Sequence, residues 1–220
     1  MFDRGNMRVV SYEAADPRNA LFSGERIRSC SVYEEGTLML SCVGRLKRLL
    51  PPPEEAAGAV DWNVVEESLG VRLPSDYKEF TEVYGGGTIL DYFILCLMVP
   101  NVGGSIEWWE EEMWNLRHFP DEIPRGYVID QGSVNLLPWA LTIDGDFCYL
   151  WMEPRQEPDR WWVVTRTRDM DWSVFEGSMV EFLEEVVAGR RRELWMPRDF
   201  PGEEPWFKTT AQYLAERHPE

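Results

Sequence analysis

The chain has 220 residues, 44% hydrophobic and 28% charged, with a formal net charge of −17. That length suits one domain, or one domain with an appendage, and the balance excludes a wholly disordered or collagen-like chain. No apolar run approaches the roughly 18–20 residues of a membrane-spanning helix, and so large a negative excess repels nucleic acid and anionic membranes while attracting a basic partner.

Residues 1–36 show no sustained period, and Asp3, Arg4, Arg8, Glu13 and Asp16 break up any signal-peptide core. Residues 1–38 read as a loose extension that need not belong to the fold, with Met39 an alternative start. Residues 1–56 hold eight acids and eight bases, so the whole excess of negative charge lies beyond them. All eleven tryptophans, from Trp62 onward, lie there too, and Pro51-Pro52-Pro53 with Glu54 and Glu55 marks a linker at the boundary.

Leu38 to Leu50 is a short helix candidate, with Leu46, Leu49 and Leu50 on one side and Pro51 as its stop. Asp61 is placed to cap a helix over Trp62 to Leu69, whose Trp62, Val65 and Leu69 recur at helical spacing, and Gly70 supplies its end. Leu73-Pro74 opens a second helix with Tyr77, Phe80 and Tyr84 as its apolar stripe, closed by Gly85-Gly86-Gly87. Ile89 to Val99 reads as one strand or a pair. Ser105 is placed to cap a third helix running to Trp114 or a little beyond, before Pro120.

Tyr127 to Asp130 reads as a short strand. Trp139 to Ile143 and Phe147 to Trp151 flank Asp144-Gly145-Asp146, a hairpin signature. Trp161 to Thr165 is a further strand. Ser178 and Glu181 form a capping box ahead of a helix over Met179, Phe182, Leu183, Val186 and Val187, closed by Gly189. Trp206 to Arg217 reads as a final short helix. Helices, then strands, then a helix argue for an α+β fold with a mostly antiparallel central sheet and flanking helices.

Chemistry is sparse. The two histidines, His118 and His218, stand far apart, and no HExxH, GxSxG, GxGxxG or GxxxxGK[ST] pattern occurs. Cys30, Cys42, Cys96 and Cys148 form no CxxC pair, so neither a zinc site nor a disulfide framework is expected, and a reducing cytoplasm fits. Asp144 and Asp146 admit a metal or acid/base reading, but the turn reading is stronger because Asp and Gly suit the backbone of a tight loop. Trp151 and Trp161-Trp162 admit sugar stacking, against the alternative that they are core. Arg190-Arg191-Arg192 follows a helix end, where cations offset the helix dipole.

The most unusual segment is Glu107-Trp108-Trp109-Glu110-Glu111-Glu112. On a helix Trp109 and Met113 share one face, while Glu107, Glu110 and Glu111 share another and repel one another. A solvated face explains it simply. The sharper reading is a docking ridge for a basic partner, with Glu107, Glu110, Glu111 and Glu112 steering and Trp108 anchoring.

The stretch Trp62, Glu66, Leu69-Gly70, Leu73-Pro74, Tyr77-Lys78 and Phe80, followed by Gly85 to Gly87, resembles the opening motif of the SUKH superfamily. This is the bacterial immunity-protein family related to the yeast cell-wall assembly regulator. Leu137-Pro138-Trp139-Ala140, Asp144-Gly145-Asp146, Tyr149-Leu150-Trp151 and Asp159-Arg160-Trp161-Trp162-Val163-Val164, then Trp172, Phe175 and Phe182-Leu183, continue the resemblance in order over roughly residues 45–190. It implies an α+β domain over residues 39–200, leaving 201–220 as a C-terminal tail with a short helix. The motif residues look architectural rather than binding. The resemblance also implies a non-enzymatic protein that binds and neutralises a toxin, commonly a nuclease or deaminase; the cysteine pattern adds a cytoplasmic setting, and the lack of motifs adds that no cofactor or metal is expected. A regulatory interaction scaffold is the competing reading, and a carbohydrate-binding or glycosidase-like protein a weaker one.

Overall fold

The computed structural model describes residues 40–97, 106–118, 123, 128–130, 133–153, 155–193 and 195–217. The 1–38 extension, Met39, the Ser105 cap and Tyr127 lie outside them.

Helix α1 spans Cys42–Leu49. It starts later than the apolar pattern suggests because the Ser41 hydroxyl accepts the Gly44 N–H at 3.0 Å and so sets its first turn. Helix α2, Trp62–Leu69, begins on Asp61, which accepts from Asn63 and Val64, and ends on Gly70 at φ 69°. Only a residue tolerant of the left-handed region fits that end. Helix α3, Ser75–Tyr84, follows with Pro74 at its N-cap.

The motif residues tie these helices together. Glu66 accepts the Leu73 N–H at 2.8 Å and pairs with Lys78. The Trp62 indole donates to Glu82 at 2.7 Å and meets Tyr77 edge-on. Tyr84 donates its hydroxyl to the Leu50 carbonyl at 2.6 Å, anchoring α1 to α3. Their architectural character is thus visible contact by contact.

The apolar stretch after Gly86 becomes two strands, β1 (Gly87–Ile89) and β2 (Phe93–Leu95), paired antiparallel. Leu90 and Asp91 turn between them at φ 57° and 50°. Helix α4 spans Ile106–His118. Strands β3 (Val128–Asp130) and β4 (Ser133–Val134) form a separate ribbon.

Strands β5 (Leu136–Thr142), β6 (Phe147–Trp151), β7 (Trp162–Arg166) and β8 (Trp172–Phe175) make an antiparallel meander. Pro138 sits inside β5, where an interior strand normally excludes it, because the register slips between Pro138 and Ala140 and the bulge absorbs the missing donor. Helix α5, Met179–Val187, carries the expected capping box between Ser178 and Glu181. Strand β9 (Phe207–Thr209) and helix α6 (Thr210–Arg217) follow.

The seven-stranded sheet has the order β8-β7-β6-β5-β2-β1-β9, and every adjacent pair is antiparallel. The α+β expectation is met. Residues 207–209, expected within a C-terminal tail, instead form β9, which pairs with β1 and closes that edge of the sheet. A side chain at position 87 would strike Phe207 and the Lys208 carbonyl, so the glycine there permits the close approach. The final helix accordingly starts at Thr210 rather than Trp206.

Helices lie on both faces of the sheet. On one, α1, α2, α3 and α5 pack against Phe93, Leu95, Trp139, Cys148, Leu150 and Val163. On the other, Met113 and Leu116 of α4 pack with Leu136, Tyr149, Trp151 and Val164. This explains why β6 reads as an unbroken apolar run: alternate side chains serve opposite cores. Cys42 takes part in a disulfide, a bond the cysteine spacing did not announce.

Candidate functional site

The second face is only partly covered. Helix α4 lies over the β4–β5 side, and α6 folds back from β9 against β1. Between the two helices runs a cleft of about 860 Å3. Its floor comes from Ile94 on β2, Leu141 on β5 and Phe147 on β6. Glu111 and Asn115 line it from α4, and Thr210, Tyr213 and Leu214 from α6. Leu214 stays half exposed beside the cavity.

One end of the cleft holds a buried polar group of three. Glu112 is 2% exposed, accepts the Tyr149 hydroxyl at 2.5 Å and pairs with Arg166 at 3.0 Å. Arg166 lies over the Phe147 ring at 4.7 Å and near Trp172 at 6.0 Å. Burial raises the Glu112 carboxyl above its ordinary range, against the opposing pull of Tyr149 and Arg166. The same burial, together with the neighbouring Glu112 charge, pushes the Tyr149 hydroxyl well up. The Arg166 Nε is buried with no acceptor among the described residues. The trio fastens α4 to β6 and β7.

The expected docking residues therefore separate. Glu111 is exposed on the cleft rim. Glu112 faces inward, because α4 must turn one side to the sheet and position 112 falls on the same side as buried Met113 and Leu116. It is corrected from a steering acid to an interior ion-pair partner. Glu107, Trp108 and Glu110 belong to the first turns of α4, but their side chains lie outside the described residues. Farther along, Trp114 is 51% exposed and stacks on His118 with ring centroids 4.1 Å apart.

Other candidates resolve differently. Asp146 is buried, accepting from Thr142 and from the Arg168 N–H, while Asp144 is exposed, so the two carboxylates do not converge. They belong to a hairpin turn with Gly145 at φ 90°. Of the tryptophans considered for sugar stacking, Trp151 and Trp161 are core, at 2% and 5% exposure, while Trp162 is half-buried with its ring centroid 5.7 Å from that of Trp151. Arg190 pairs with Glu184 and Glu185 at the end of α5, and Arg191 with Glu193. Among the described residues no group of three or more His, Cys, Asp or Glu side chains could hold a metal ion, and no helix is long and apolar enough to cross a membrane.

Sequence reasoning missed Arg166, Tyr213 and Leu214. Nothing near them in sequence signals a site. Only the pairing of β9 with β1 brings α6 to face α4.

Comparison with known families agrees with this architecture. The SUKH_6 family model, described as SMI1-KNR4 cell-wall, matches residues 60–183, from just before α2 into α5. No curated protein matches the chain.

Proposed function

Because this chain belongs to the SMI1-KNR4 cell-wall family within the SUKH superfamily, we propose that it is a non-enzymatic immunity protein. It binds a bacterial protein toxin and neutralises it by covering the active site. The observation that carries this reading is the family match, which takes in most of the sheet and its helices. Charge supports it: the net −17 lies wholly beyond residue 56, within the part that folds on the sheet. A basic toxin such as a nuclease would be drawn to such a surface and have its substrate groove occluded.

The contact includes the acidic stripe of α4, with Glu107, Glu110 and Glu111 steering and Trp108 as an anchor. Co-expression with the toxin domain encoded nearest to this gene tests the reading. Survival together with a stoichiometric complex is expected. Death of the cells and no complex, with that toxin active on its own, rejects that pairing and returns weight to a regulatory scaffold, which the cell-wall description of the family also supports. Changing Glu107, Glu110 and Glu111 to Lys should slow association at low salt, and an unchanged rate would remove α4 from the contact.

A further inference from the structure

We infer that the cleft between α4 and α6 receives an apolar-anchored, Lys- or Arg-flanked segment of a protein partner. This deepens the toxin-binding reading and rests on it for the partner's identity, but the cleft itself can be tested alone.

Three observations choose this occupant. The cleft is large, about 860 Å3, and its floor of Ile94, Leu141 and Phe147 suits aliphatic or aromatic side chains. Arg166, the cation lining the cleft among the described residues, has its charge met by Glu112 and its plane laid over Phe147, so the cleft offers an anionic ligand little net positive charge even with the Nε unpaired. The rim is acidic. Glu111 is exposed at the mouth, and on the α4 backbone position 107 falls one turn earlier on the same face. On the α6 side Lys208 is bound by Asp91 and Glu216. A segment that buries an apolar anchor and keeps cations at the mouth satisfies floor and rim together. An uncharged small molecule would use only the floor.

The probe is a synthetic peptide of about 14 residues with Leu at i, i+3, i+4 and i+7 and Lys between, the spacing that lines one face of a helix. Two controls replace the leucines by Ala or the lysines by Glu. Methyl NMR on the full-length protein reads the response. Shifts at Ile94, Leu141 and Leu214, with Val64, exposed on α2, unmoved, are expected from the Leu/Lys peptide alone. Leu214→Glu should weaken that binding at least tenfold while Val64→Glu leaves it unchanged.

Equal binding of either control peptide, or shifts spread equally to Val64, overturns the inference. Cleft shifts that vary with protein concentration before peptide is added assign the cleft to a second copy of the chain and also overturn it. In cells, a Leu214→Glu protein that folds yet fails to protect supports the inference. One that protects as well as the wild type overturns it for the toxin while leaving the immunity reading intact. A wild type that does not protect rejects the pairing with that toxin, and the peptide result then decides the cleft by itself.

Discussion

Glu111 and Glu112 are neighbours with opposite fates, and replacing each by Ala separates an interior ion pair from a solvated charge. Glu112 is 2% exposed and Arg166 14% exposed in its side chain, so water screens their contact little. Removing one member of a buried pair typically costs about 3–5 kcal/mol, because the partner is left charged and uncompensated. Tyr149 loses its acceptor at the same time. For a folded unit of this size, that corresponds to a fall in Tm of roughly 6–20 °C. Glu111→Ala, on the exposed rim, should stay within about 0.5 kcal/mol of wild type. The triple change Glu112→Leu, Arg166→Met and Tyr149→Phe should recover most of the loss, since apolar groups of similar volume need no pairing. Urea unfolding at pH 7 with thermal melts measures all three. If Glu112→Ala loses less than about 1 kcal/mol, indistinguishable from Glu111→Ala, the interior pair does not hold α4 to the sheet and the reasoning fails.

Gly87→Ala should overpack the β1–β9 contact and destabilise by about 1–3 kcal/mol, since its methyl would meet Phe207 at 2.6 Å and the Lys208 carbonyl closer still. Hydrogen exchange should rise in residues 207–217 before anywhere else, and unchanged protection there would show that the glycine is dispensable. Asp76 is buried and accepts the Val180 N–H at 3.3 Å; burial raises its carboxyl above the ordinary range despite hydrogen bonds from Ser178, Val180 and Tyr77. Its folded state favours the protonated acid, so its stabilisation is full below the unfolded carboxylate range and fades as pH rises through the raised folded value. The urea midpoint of wild type relative to Asp76→Asn should therefore climb as pH is lowered from 7 toward 4, and a flat difference would contradict the upward shift of the carboxyl.

Local signals were legible wherever a few adjacent residues decide the backbone. Asp61 and Gly70 bracket α2, Ser178 and Glu181 cap α5, and the Asp144-Gly145 turn sits between β5 and β6, as their side-chain chemistry requires. The β1–β2 turn was not legible as such, because Leu90 and Asp91 adopt the left-handed region without a glycine to announce it. Strand β8 gave no alternation, since all four of its residues are only partly buried. The orientation of α4 depends on which side meets the sheet, and Glu112 looks like its neighbours in sequence. The cleft was the least legible feature, as its α6 wall is brought in by pairing between residues far apart in the chain.

That long-range pairing also orders events during synthesis. Strand β9 emerges some 120 residues after β1, an interval of roughly 6–24 s at typical translation rates. Until then the N–H and C=O groups along the outer side of Gly87–Ile89 have no neighbouring strand, and the nascent sheet ends on a bare edge able to recruit a foreign one. Once Phe207–Thr209 dock, the new outermost strand carries Lys208, a charge that discourages any further strand from adding. The same few residues thus finish the sheet, position α6 and end the period in which the growing chain is most open to aggregation.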